Sequence, residues 1–217
     1  MGYDMYATHV LDAVEAGTAE SADLFTHEDN NYLRRSIWDI GALREALITT
    51  GAGFDVAEYG FAPPNAWLGI AGEDCFAFPD PADYGLTPTD DGLAGNRLHE
   101  FVAAQHQVLT QHGPRDVPGI PVYPKLASND GWWVTKIECQ AAVAIIGRWL
   151  ADHGSSPEQA IAAVRDRDAE LAQGGSHLLP LPSDDEPAAT DEEIILELGD
   201  ALPFLRNAAA HEGFRVY

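Results

Sequence analysis

The sequence predicts an α+β protein, mainly helical, with helices packed around a central buried helix at about 136–152 and a small sheet pairing the two chain ends. Three observations carry that expectation. The first is a repeated start signal, in which a hydroxyl residue stands three places before a glutamate: Thr135 with Glu138, Ser155 with Glu158, and Thr190 with Glu193. The hydroxyl accepts an orphan N–H of the first turn and the glutamate reaches back to the cap. The second is AAVAIIG at 141–147, which has no polar side chain. A helix apolar all round is a buried one, and this run is far short of the roughly 20 residues that span a bilayer. The third is the pair of ends, YDMYATHV at 3–10 and FRVY at 214–217, both rich in strand-forming residues.

Taken in order, residues 3–10 read as a strand and 11–28 as an acidic loop or short helix. Residues 29–50 read as helical, with Leu33, Ile37, Ile40 or Gly41, and Leu47 on one face, Gly41 as a point where the stretch divides into two shorter helices, and the glycines at 51 and 53 ending it. Residues 54–94 are rich in proline, glycine and aromatics, which favours an ordered insertion loop packed on the core. Residues 95–112 form an amphipathic helix carrying His99 and His106. Their seven-residue spacing is too long for joint metal ligation, which on a helix uses i and i+4.

Prolines at 118, 121 and 124 then force an extended path into the polar turn at 128–131. The apolar helix 136–152 follows, and the Ser155 box starts another over 157–172. Residues 173–189 are a Gly/Pro/Asp-rich connector. The Thr190 box opens a helix to about Gly199, and Pro203 belongs in the first turn of a fresh one capped by Asp200, since an interior proline costs about 3 kcal/mol. One domain over 1–217 accommodates all of this without a linker.

The charge is the unusual feature. Thirty-five acids face twelve bases, for a net charge of −23. Such a surface repels nucleic acid and anionic lipid and favours a basic protein surface as partner. It is also the composition of a GC-rich or salt-adapted genome. Cys75 falls in a loop and Cys139 on the apolar helix, a pattern that resembles neither a disulfide framework nor a zinc site. The first residues lack the basic and long apolar regions of a signal peptide, so the expected location is cytoplasmic. No oligomeric state follows from the sequence.

No phosphate-binding loop, nucleophile elbow, HExxH or dinucleotide fingerprint is present, so the sequence implies no catalytic residue, cofactor or resident metal. Asp80, Asp83, Asp90 and Asp91 do not have the spacing of a calcium loop. The candidate ligand site is instead a constellation. Asn129, Asp130, Trp132 and Trp133 lie on a turn ahead of a helix N-terminus, where anions are attracted and indoles can stack. Lys125 is close in sequence. Tyr3 and Asp4 join if the first strand runs past this turn, and Arg34 and Arg35 are a basic pair in a chain with few bases. The competing readings are that Asp130 organises the turn, one tryptophan is core, and the arginines pair with acids of this chain.

Four blocks carry a resemblance: GYDMY at 2–6, YLRRSIWDIGALREAL at 32–47, PGIPVYPKLASNDGWWVTKIECQAA at 118–142 and LRNAAAHEGFRVY at 205–217. Together they resemble an uncharacterised family of actinobacterial and actinophage proteins. Trp133 stands where that family has histidine, and Tyr123-Pro124 where it has Leu-His, which speaks against metal binding there. The resemblance implies a single fold and a bacterial or phage origin, and no reaction. The leading expectation is an acidic interaction or inhibitor-type protein that binds a basic partner. The runner-up is a protein that binds a nucleotide- or sugar-like molecule, or acts on one, through the turn at 129–133. DNA mimicry is a third and weaker reading.

Overall fold

The computed structural model describes residues 2–26, 29–37, 39–55, 103, 107, 109–111, 113, 116–127, 131–172 and 189–217. Strand β1 (Gly2–Ala7) leads into helix α1 (Thr8–Glu15) and a 3-10 turn at Ser21–Phe25. Strand β2 (Tyr32–Ser36), helix α2 (Asp39–Thr49) and strand β3 (Gly53–Asp55) follow. After strand β4 (Ile120–Pro121) and a helical turn at Val122–Lys125 come strand β5 (Trp132–Val134) and helix α3 (Lys136–Asp152). Helices α4 (Pro157–Ala172) and α5 (Asp191–Ala210) and strand β6 (Phe214–Val216) complete the described chain.

The two ends meet, as expected. The main sheet is antiparallel in the order β2-β1-β6-β5, with Met5 opposite Val216, Asp4 opposite Arg34 and Trp133 opposite Arg215. Asp4 and Tyr217 also exchange backbone hydrogen bonds of 2.6 and 2.8 Å, extending the ladder by a residue. Strands β3 and β4 form a separate parallel pair. Side chains alternate across a strand. Met5, Leu33, Phe214, Val216, Trp132 and Val134 therefore point into the core, and their neighbours in sequence point outward. Gly213 makes the turn into β6 possible: its φ is +87°, and a Cβ there would lie 2.1 Å from the Val134 carbonyl oxygen.

Helix α3 has the bounds its capping box predicts. Thr135 caps it and Glu138 bonds back to the Thr135 N–H at 2.8 Å. Its burial is one-sided, however. Cys139, Ala142, Ile146 and Leu150 are buried, Ala144 is exposed, and Ile137 is 67 % exposed. The expected all-round burial of 141–147 fails because the outer positions are small: an exposed alanine costs little and favours helix. The longest buried stripe lies on α5, through Ile194, Leu198, Leu202 and Leu205. This helix packs against α2, α3 and α4 and against the sheet, sharing the central position with α3.

Two further expectations need correction. The stretch 29–50 is not helical throughout: β2 precedes α2, which runs through Gly41 unbroken. Residues 32–36 register against β1, burying Leu33 and Arg35 and exposing Arg34 between them. Helix α2 starts at a Ser-x-x-Asp box in which Ser36 and Asp39 exchange side-chain and backbone bonds of 3.2 and 3.3 Å. Nor does a fresh helix begin near Asp200: α5 runs unbroken through Pro203. The apolar contacts of Leu198, Leu202 and Leu205 on both sides of the proline hold it in line. Proline removes the bond to the residue four back and crowds that residue's carbonyl. That residue is Gly199, whose lack of a side chain lets α5 approach α4; a Cβ there would lie 2.3 Å from the Ala160 oxygen. In α4 the cap is Ser156, whose hydroxyl accepts the Gln159 N–H at 3.2 Å, one residue beyond the expected Ser155.

The expected insertion loop at 54–94 and connector at 173–189 fall almost wholly outside the described residues, as do Cys75, the four aspartates and His99, His106 and His112.

Candidate functional site: the outer face of the sheet

The sequence-derived candidates divide by strand alternation. Tyr3 points inward and its hydroxyl donates to the Ala127 carbonyl at 2.9 Å. Trp132 is fully buried. Arg35 is buried between Glu197 at 3.0 Å and Asp200 at 2.5 Å, which accounts for half of the basic pair by pairing within this chain. The Glu197 contact is ionic, out of line for a hydrogen bond. Asn129 and Asp130 lie outside the described residues.

Lys125 is also taken up inside. Its ammonium group is fully buried and donates to the Trp133 carbonyl at 2.6 Å and to both Glu138 oxygens at 2.8 and 3.0 Å. Three donors meet three acceptors, so the group is satisfied. Burial pushes its pKa down and the Glu138 carboxylate pulls it back up, the net direction being down. Glu138 in turn accepts from Gly113 N at 2.9 Å and from Thr135. One carboxylate thus caps α3 and neutralises the lysine. This knot fastens the helical turn at 122–125 to the sheet.

Asp4, Arg34 and Trp133 point the other way. Register brings them to one face with residues the sequence reading did not single out: Tyr6, Tyr32, Arg215 and Tyr217, covered at one end by Phe25. Tyr6 is the hub. Its ring centroid lies 5.8 Å from Phe25, 5.3 Å from Tyr32 and 6.1 Å from Tyr217. Phe25 also meets Tyr32 edge-on at 5.3 Å. Arg215 lies over the Trp133 ring at 5.6 Å, and the Trp133 indole N–H donates to the Glu212 carbonyl at 2.8 Å. The signal was available: Asp4 and Tyr6, and Arg215 and Tyr217, are each two apart on strands expected to pair.

The electrostatics of this face centre on Asp4. It accepts a short hydrogen bond from the Tyr32 hydroxyl and lies 3.7 Å from the Arg34 guanidinium. Burial, with the Asp4 bond and charge, pushes the Tyr32 phenol up to about 12. Tyr6 and Tyr217 are raised as well, chiefly by burial. Asp4 adds to the Tyr6 shift, and Glu15 and Asp12 act on Tyr217. All three phenols are therefore neutral at physiological pH. The rings offer negative π-faces and the adjoining carboxylates offer charge, a combination that attracts ammonium and guanidinium groups. Beside it, His9 on α1 and His211 at the end of α5 stack at 4.0 Å. No group of three or more metal-ligating side chains occurs among the described residues. No described helix is long and apolar enough to cross a membrane.

Comparison with protein-family models, with curated proteins and with solved structures gives no match.

Proposed function

We propose that this protein is a binding module that docks a basic polypeptide on the outer face of its sheet. The observation that carries this reading is the aromatic cluster itself. Phe25 is 51 % and Tyr217 40 % exposed, on the rim of a four-ring patch that borders Asp4, Asp12 and Glu15. Two cations on the same face already have partners, Arg34 with Asp4 and Arg215 with Trp133. These contacts support a reading in which the face receives cationic side chains. The net charge of −23 would draw a basic partner from a distance and fall silent at high salt.

The test uses fluorescein-labelled arginine- and lysine-rich peptides, with wild type compared against Phe25→Ser and Tyr217→Ala. A cation–π contact contributes about 0.5–2 kcal/mol, so each variant should weaken binding by about 2- to 30-fold. Binding should also weaken steeply with salt. Equal affinity for wild type and both variants, or no binding at low ionic strength, refutes the proposal. The runner-up, a nucleotide- or sugar-like ligand at the turn before Trp133, draws support from Gly131, which lies against the Tyr217 ring, and from Trp133 opposite Arg215 on the same face. It would show as a thermal shift with such ligands that Trp133→Ala removes.

A further inference from the structure

The two edges of the main sheet are finished differently, and hydrogen-bond parity shows how. Asp4 exchanges both backbone bonds with Tyr217, at 2.6 and 2.8 Å, so its N–H and C=O point toward β6. Successive residues of an antiparallel strand face opposite neighbours. Tyr3 and Met5 therefore face β2 and bond Arg35 and Leu33. Arg34, between those two, turns its N–H and C=O off the free side of β2. On the far edge the same alternation turns Trp133 outward. There the chain supplies its own partner, because the Trp133 carbonyl accepts from Lys125 at 2.6 Å. The outward N–H and C=O of Arg34 form no hydrogen bond with a described residue. Its guanidinium leans back over β1, 3.7 Å from Asp4 and 3.5 Å from where a Cβ on Gly2 would stand, which keeps it off the edge.

A strand edge with open backbone groups is a template for pairing. What flanks this edge selects the strand it would take. On the outer face Phe25, 51 % exposed, meets Tyr32 and Tyr6 at the β2 end of the aromatic cluster. Beside the same edge lies a hollow of about 240 Å³, bordered by Tyr32 and Leu33 of β2, by Ile161 and Val164 of α4 and by Phe204 of α5. Side chains of an added strand alternate between two faces, so one set would meet Phe25 and the other the hollow.

We infer that the basic partner binds as an extended strand on the open edge of β2, adding a fifth strand to the main sheet. Cationic side chains lie over Phe25, and an aliphatic one enters the hollow beside Leu33. This rests on the sheet-face reading and names the conformation and the pattern of that partner: basic and aliphatic residues in alternation. Main-chain bonds supply the affinity and the alternate side chains the selectivity. The net charge of −23 draws such a strand in.

The experiment titrates the full chain with a labelled peptide that alternates arginine and valine. Two derivatives carry N-methyl groups, one at every arginine and one at every valine. Only one of these sets can turn its N–H toward β2, so one derivative should bind about tenfold or more weakly than the other. On the protein side, Arg34→Pro removes the outward N–H while Leu33 and Arg35 keep the ladder to β1. Proline is tolerated on an edge strand at such a position. Arg34→Ala deletes the same side chain but keeps the N–H. The proline variant should bind about fivefold or more weakly than the alanine variant, with circular dichroism showing both folded. The peptide comparison uses wild type alone, so it decides even where the proline variant does not fold. Equal affinity of the two methylated peptides, or of the two folded variants, overturns the strand docking while basic peptides still bind. Failure of every basic peptide to bind overturns the sheet-face reading and the strand docking with it.

Discussion

The buried knot between Lys125 and Glu138 gives the sharpest quantitative test. Lys125→Met keeps the length and apolar stem of the side chain but deletes the ammonium. Three hydrogen bonds vanish together, two to Glu138 and one to the Trp133 carbonyl. The Glu138 side chain is only 6 % exposed, so its charge stays behind in an apolar surround. It keeps the Thr135 and Gly113 donors but loses its counter-charge. Removing one member of a buried pair costs about 3–5 kcal/mol. At about 2–4 °C per kcal/mol for a chain of this size, Tm should fall by roughly 6–20 °C. Adding Glu138→Gln should recover much of that loss, because glutamine removes the stranded charge and can still bond back to the Thr135 N–H. The assay is thermal and urea unfolding followed by circular dichroism. A single variant within about 1 kcal/mol of wild type, or a double variant no better than the single, refutes the reasoning.

Other residues offer independent checks. Gly213→Ala combines a φ of +87° with a Cβ 2.1 Å from the Val134 oxygen, so it should cost more than the roughly 1–3 kcal/mol of backbone strain alone and lower Tm accordingly. Tyr32→Phe deletes the hydroxyl that donates to Asp4 and should cost about 1.5–3 kcal/mol in urea unfolding. In wild type the Tyr32 phenol should ionise near 12, above the ordinary 10, in an ultraviolet titration. Its contribution to stability is then full below pH 10 and lost as pH rises toward 12. His9 works in the opposite direction. Burial and the neighbouring His211 lower its pKa below 6.5 against the pull of Asp12, so the unfolded chain binds more protons and stability should fall as pH drops below 6.5. His9→Gln should flatten that slope, and an unchanged slope would show that other groups set it.

Local chemistry was legible to within a residue: two of the three expected caps stand in place, and the third, on α4, shifts from Ser155 to Ser156. The bounds of α3 follow from Thr135 and Glu138, and the start of α5 from Thr190 and Glu193, because a cap needs only its own turn. The sequence reading failed where a neighbour outvotes local preference. Residues 32–36 carry an apolar spacing that suits a helix, but β1 offers them a ladder and buries Leu33 and Arg35. Pro203 stays inside α5 because α4 and the core grip the helix on either side. The candidate site was half legible for the same reason. Asp4, Arg34 and Trp133 converge on one face, yet their aromatic companions emerge only once the register of the four strands is known. Lys125 and Arg35 stood out as rare bases, but only distances reveal that their charges are spent on Glu138, Glu197 and Asp200.

Strand β6 is the only described partner of β5 and the inner neighbour of β1. The four-stranded sheet therefore closes only through a contact between segments some two hundred residues apart, Gly2–Ala7 and Phe214–Val216. A chain cut short before Phe214 leaves β5 without its described partner, and it should be digested readily by protease where the chain that includes Phe214–Val216 is not.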